Sequence, residues 1–257
     1  MPHKKWYLML DDDTYIVKPS LNLLLNRLDP NDMHYIGNAV GGFYGRFGHG
    51  GSGVVLSRGA VRHLFSPQNA EVVLAAKRQS INEPFGDRML ALALLRVGII
   101  IDERFSRYFN GERPEITKIR ADRFCAPLFS FHQHAKREQM LSTGKMFRDI
   151  GHPLQWFDVW GMCHAPPLDS WVQAPMREGW DHVGRLDEFT LTVKDVADAG
   201  ACLNICRRRS RECLAWTWIK DTQECNMSPW MIAGEAASGM ISGVNAVRAK
   251  HLLAKCR

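Results

Sequence analysis

The chain has 257 residues, 46% of them apolar and 23% charged, enough for one large domain or a medium domain with a small one. Its formal net charge of +6 is densest in CRRRSREC, a run with no interleaved aromatics and no nucleic-acid motif, so it reads as a solvated face and nucleic acid is not an expected partner. No apolar stretch approaches the length of a membrane span, and the first residues lack the basic-then-apolar order of a signal peptide.

In chain order, WYLML at residues 6–10 is a short apolar run that ends at three consecutive carboxylates, Asp11, Asp12 and Asp13. It predicts a buried strand with the acids at its C-terminal end. Pro19 and Ser20 then precede Leu21, Leu24, Leu25 and Leu28 at helical spacing, which predicts a helix start. HYIGNAV predicts another strand. GHGGSGVVLSRGAVRHLF predicts a glycine-rich turn, a strand at residues 54–56 and a helix near residues 60–65. EPFGDRMLALALLRVGI, with Pro84 early and Gly98 near its end, is the clearest helix. FCAPLFSFHQH predicts a short strand ending in His132 and His134. This alternation over residues 1–150 indicates an α/β domain. Residues 151–181 shift to Trp, Pro and Gly with little periodicity and are expected to be a linker or the lead-in to a second unit.

Cys125 stands alone in the first half, and the other six cysteines lie between Cys163 and Cys256. Cys202, Cys206, Cys213 and Cys225 have spacings that zinc knuckles and ribbons rarely show, and no CxxC pair. Disulfides in an oxidising compartment are expected instead. Such a compartment without a signal segment points to a chain whose N-terminal part is missing, and Cys125 could pair with a cysteine there.

Open α/β sheets bind ligands beyond the C-terminal ends of their strands, where residues 11–13 are expected. Carboxylates favour hard divalent cations, and Mg²⁺ or Mn²⁺ in turn holds diphosphates. The cluster therefore suggests metal-assisted handling of a phosphate-bearing substrate. Each candidate also has a structural reading: Asp87 suits the first turn of a helix, His132 an aromatic core, and the glycines at 50–53 a tight turn.

Two families place acids at such a strand end. The haloacid-dehalogenase phosphatases carry DxDx[T/V], but here Tyr15 holds the fifth position, and Gly86-Asp87 lacks the second acid expected after it. The second comparison covers more of the chain. WYLMLDDDTY, FGHGGSGVVLSRGAV, FGDRMLALALLRVGI and FSFHQH occur in the order of the Fringe-like and core-1 β1,3-galactosyltransferase group, glycosyltransferase family 31, which the first half resembles. That resemblance implies a GT-A-like, Rossmann-like α/β sheet lacking its N-terminal strands. It implies Asp13 and His132 as metal ligands, with His134 as the substitute, for Mn²⁺ or another divalent cation. Asp11, Asp12, Gly50, Gly51, Ser52 and Gly53 would line the donor and acceptor cleft, and Asp87 would be the catalytic base. The partners implied are a UDP-sugar donor and a glycan or glycoprotein acceptor, with transfer inverting the anomeric centre.

The second half resembles a PAN/Apple domain in CLNIC, CLAWTW, QECNM and SGMISGV before Cys256. This implies a small disulfide-rich α+β module with Cys206–Cys213 nested inside Cys202–Cys225, and Cys163–Cys256 outermost. The expected division is a catalytic domain over residues 1–160, and a linker with the cysteine-rich module over residues 161–257. Relatives of the first family are anchored in the Golgi, so a membrane anchor and the uridine-binding strands are expected in a missing N-terminal segment. The alternative function is a non-catalytic lumenal or secreted protein that binds protein or carbohydrate through the PAN-like module.

Overall fold

The β-branched run at Val54 and Val55 forms the middle of a three-stranded antiparallel sheet. The computed structural model describes residues 3–42, 45–134 and 136–256. They fall into two units, Met1–Arg113 with Pro127–Leu154 and Pro114–Ala126 with Gln155–Arg257.

The first unit opens with β1 (Trp6–Met9), β2 (Tyr15–Ile16), α1 (Lys18–Leu25), β3 (Tyr35–Gly37), β4 (Ala39–Val40) and β5 (Phe47–Gly48). A 3-10 turn (Gly50–Ser52), β6 (Val54–Ser57), α2 (Arg58–Leu64), α3 (Ala70–Gln79) and α4 (Gly86–Arg96) follow. β7 (Ile119–Arg120) belongs to the second unit, and β8 (Ser130–Phe131) and α5 (Arg137–Met146) complete the first.

The first sheet has the order β1-β6-β3, and every residue of β6 is buried. Side chains alternate across a strand, so Val54 and Leu56 join Tyr35 on one face, packed against Ala60 and Leu64 of α2 and Ala91 and Leu94 of α4. Val55 and Ile36 take the other face, against Leu21, Leu24 and Leu25 of α1 and the rings of Phe109 and Phe129. The sheet thus lies between two helical layers, a mixed α/β arrangement. α1 starts where Pro19 suits a first helical turn. Ser57 ends β6 and begins α2 at once, because its Oγ accepts the Ala60 N–H and caps the helix.

β1 departs from the expectation of a buried strand. Among the described residues it has a neighbour on one side only, and Leu8, Met9 and Leu10 are 41%, 45% and 46% exposed. An apolar run alone does not distinguish a central strand from an edge strand.

Two antiparallel pairings place the chemistry. Met9 opposes Val54, so the acids after β1 and the glycine turn before β6 lie at the same end of the sheet. Tyr15 opposes Phe131, so Asp13, just before β2, meets His132, just after β8.

The second unit adds α6 (Asp158–Met162), α7 (Ser170–Gln173), β9 (Arg177–Asp181), β10 (Leu191–Val193) and α8 (Ala199–Arg208). β11 (Ala215–Ile219), β12 (Glu224–Ser228), β13 (Trp230–Met231), β14 (Glu235–Val244) and α9 (Ala246–Leu253) complete it. Its five-stranded antiparallel sheet has the order β10-β12-β11-β14-β9. α8 carries Cys202 and Cys206 into a core with Trp216, Trp218 and Met227, bonded to Cys225 and Cys213 respectively. Those two nested bridges have the pairing that the PAN/Apple resemblance implies.

Of the two readings of residues 151–181, the lead-in to a second unit fits: Gln155–Arg257 belongs to that unit, Trp156, Trp160 and Trp171 are buried, and β9 pairs with β14. Short elements held by large aromatic side chains leave no period to read. Two expectations about the cysteines are corrected. Cys256 bonds Cys125, not Cys163, and Cys125 has its partner within the chain. The cause is the segment Pro114–Ala126, which folds with the second unit through the β7–β13 pairing. Cys163 is a free thiol, which burial pushes up to about 12.

Candidate active site

Three side chains of the first unit converge at the shared end of its strands. Asp11, Asp13 and His132 each offer a ligand atom, and these atoms all lie within 4.8 Å of one another. His132 Nε2 is 3.1 Å from Asp13 Oδ1. The other ring nitrogen, Nδ1, is buried without a partner. Two carboxylates and one imidazole suit a divalent cation of the Mn²⁺ or Mg²⁺ class. Asp12 is exposed and stands outside this trio.

The glycine turn fits around these groups. A Cβ on Gly51 would lie 2.2 Å from His132 Nε2, so the imidazole occupies the space a side chain would need. Gly53 has a φ of +89°, a region open mainly to glycine. Thr14 Oγ1 donates to the Gly51 carbonyl at 2.9 Å, tying the acidic loop to the turn. The N–H of Gly50 donates to Asp87 Oδ2 at 2.8 Å, and the N–H of Arg88 donates to Asp87 Oδ1 at 2.7 Å. Asp87, in the first turn of α4, is thereby oriented on the glycine turn, and a Cβ on Gly50 would meet both Asp11 and Asp87. Asp11, Gly50, Gly51 and Asp87 line a cleft of about 510 Å³.

With this geometry goes a family match: the Fringe-like family profile covers residues 1–165, more than half of the chain. The chain belongs to the Fringe-like family. Fringe-like proteins are glycosyltransferases of GT-A-like α/β fold that work in the Golgi lumen on nucleotide-sugar donors and glycan acceptors. No curated protein matches the chain. Among the described residues, no helix is long and apolar enough to cross a membrane.

Within the Fringe-like domain, His49 escapes a reading of the sequence alone, and His134 takes a different role from the substitute metal ligand expected of it. His49 lies inside the glycine turn and lines the same cleft. Its Nδ1 accepts the Ser52 N–H at 3.2 Å and sits 2.9 Å from Ser52 Oγ, which accepts from Asn38 Nδ2 at 3.2 Å. Its ring stands edge-on to that of His132, with centroids 5.2 Å apart. Burial lowers the His49 pKa and His132 lowers it further, against the opposing pull of Asp87, Asp11 and Asp13. The available signal was its place in FGHGGSG, among residues otherwise chosen for lacking side chains.

His134 is buried, with Nδ1 2.9 Å from the Asp13 carbonyl and Nε2 2.8 Å from Thr143 Oγ1. It braces the backbone of the acidic loop and offers no ligand atom to the trio. Its partner Thr143 comes from α5, a helix with too weak an apolar face to announce itself.

Proposed function

We propose that the Fringe-like domain is a metal-dependent, inverting glycosyltransferase that moves a hexose from a UDP-sugar to a hydroxyl of a glycan or glycoprotein, with β1,3-type linkage. The observation that carries this reading is the convergence of Asp11, Asp13 and His132 beside a cleft that Asp11 and Asp87 both line.

In this reading Asp13 and His132 would hold a divalent cation, with Asp11 the third donor. A cation bound there would supply positive charge to offset that of the departing diphosphate. Asp12 and the turn of Gly50, Gly51, Ser52 and Gly53 shape the donor and acceptor cleft. Asp87 is the general base. The acceptor hydroxyl attacks the anomeric carbon as the bond to the diphosphate oxygen breaks, and its proton passes to the Asp87 carboxylate. Attack opposite the leaving group inverts the anomeric centre. The two N–H groups on Asp87 support this role by orienting its carboxylate.

The nested bridges Cys202–Cys225 and Cys206–Cys213 across one helix and an antiparallel sheet support a PAN/Apple-like reading of the second unit. The disulfides and the family match together support a place in the Golgi lumen.

The test is binding and transfer with UDP-galactose, UDP-N-acetylglucosamine and UDP-glucose, with Mn²⁺ and after chelation. Asp13→Ala is expected to abolish metal-dependent UDP binding. Asp87→Asn keeps an oxygen for the Gly50 N–H, so it is expected to bind donor normally and lose about 10²–10⁴-fold in turnover. If the wild type shows no metal-dependent donor binding, the enzyme reading falls and the non-catalytic binding protein takes its place.

A further inference from the structure

We propose that His49 is a substrate-contacting residue whose Nε2–H donates a hydrogen bond to the diphosphate of the bound donor. This rests on the glycosyltransferase reading above and extends it to a residue outside the carboxylate and metal-ligand set.

The tautomer of His49 follows from its partners. A backbone N–H can only donate, so Nδ1, which receives the Ser52 N–H, is the unprotonated nitrogen. Asn38 Nδ2 donates to Ser52 Oγ, which leaves the Ser52 hydroxyl hydrogen free to donate to the same Nδ1. The neutral ring therefore carries its proton on Nε2. No described residue pairs with that nitrogen.

The surroundings name the ligand. The described residues that line the cleft include no lysine or arginine, and His49 is their one side-chain hydrogen-bond donor. A leaving diphosphate needs donors as well as a cation, since charge-assisted hydrogen bonds to phosphate oxygens are among the strong ones. An acceptor hydroxyl needs a group that takes its proton, and Asp87 already stands there. Asp87, Asp11, Asp13 and His132 are all near enough to act on His49 electrostatically. Its ring stands edge-on to that of the metal-ligand candidate His132, with centroids 5.2 Å apart.

Because Nδ1 caps the turn, a simple truncation would mix two effects. His49→Asn puts an amide oxygen near the Nδ1 position, keeping the cap and removing the donor. His49→Gln puts an amide nitrogen near the Nε2 position, keeping the donor and losing the cap. The full chain is titrated with Mn²⁺ alone by electron paramagnetic resonance, and with UDP at saturating Mn²⁺ by calorimetry. Mn²⁺ affinity is expected to stay at the wild-type value in both variants. UDP affinity is expected to fall about 10-fold or more in His49→Asn and by no more than about 3-fold in His49→Gln, as for a lost hydrogen bond to a charged group. Wild-type UDP affinity in His49→Asn, or an equal loss in both variants, overturns the proposal, because His49 then acts only as a cap. A wild type that binds no UDP with Mn²⁺ instead overturns the glycosyltransferase reading, and this inference with it.

Discussion

Gly51 and His132 compete for one volume: a Cβ on Gly51 would stand 2.2 Å from Nε2 of the imidazole. The contact ties a glycine of the turn to a histidine far along the chain. Gly51→Ala is therefore expected to displace His132 from Asp13 and to weaken Mn²⁺ binding by about 10-fold or more, the scale of losing one well-placed ligand contact. Gly50→Ala, whose Cβ would stand 3.3 Å from Asp11 Oδ1 rather than overlap a ligand group, is expected to change Mn²⁺ affinity much less. Mn²⁺ titration of both variants by paramagnetic resonance checks the contrast.

His134 bridges Asp13 and Thr143, with both ring nitrogens engaged and the side chain buried. Removing one partner leaves the other unpaired, at a cost of about 1–3 kcal/mol. His134→Ala is expected to lower the Tm and to weaken Mn²⁺ binding, because the Asp13 carbonyl loses its brace. Thr143→Val is expected to lower the Tm while changing Mn²⁺ affinity less. Equal Mn²⁺ affinity in His134→Ala and wild type would show that the acidic loop holds itself.

His182, in the second unit, gives that unit a pH dependence. It is buried against Trp160 and Trp171, its Nδ1–H donates to the Ile232 carbonyl at 3.0 Å, and Nε2 has no partner. Burial pushes its pKa down from 6.5 to about 4. A folded-state pKa below the unfolded one means that the unfolded chain binds more protons between these values. Stability is thus full above pH about 6.5, falls as pH drops through that window, and levels off below about 4. The loss is roughly 3 kcal/mol. Urea midpoints from pH 7 to pH 4, with His182→Gln as comparison, are expected to show a shallower slope in the variant.

Cys163 and the disulfides make a chemical prediction. With six cysteines bonded and the Cys163 thiol buried and raised to about 12, the native chain is expected to show no fast-reacting thiol at pH 8. One thiol per chain is expected after denaturation without reductant, counted with a chromogenic disulfide reagent. The Cys125–Cys256 bridge spans 131 residues and Cys202–Cys225 spans 23. The chain-entropy model gives about 5 kcal/mol and about 3.4 kcal/mol for loops of those sizes. Replacing Cys125 and Cys256 by Ser is expected to lower the Tm more than replacing Cys202 and Cys225.

Much of the first unit was legible because local rules acted in the same direction. Leu21, Leu24 and Leu25 mark a helix face that is in fact buried. The glycine run before Val54 marks a turn into a strand, and the acid triplet marks where that strand's neighbour ends. Other features were not legible. Leu8, Met9 and Leu10 gave no sign that they would be exposed, since edge or centre depends on which strands pair. α5 had too little apolar periodicity to stand out, and the tryptophans of residues 151–181 pack without a period.

By itself the sequence determined the residue types of the site and their order along the chain: three acids after an apolar run, a glycine turn with a histidine in it, an acid at a helix start, and paired histidines after a strand. Only the tertiary structure decided which of them meet. Antiparallel pairing of Met9 with Val54 and of Tyr15 with Phe131 sets Asp11, Asp13 and His132 within a few ångströms, leaves Asp12 in solvent, and turns His134 away to a backbone carbonyl. It also decided that Cys256 bonds Cys125 rather than Cys163. The physical reason is common to all of these. Composition and period report what each residue prefers locally, whereas strand register and helix docking decide which distant side chains come close enough for coordination, hydrogen bonding or disulfide formation.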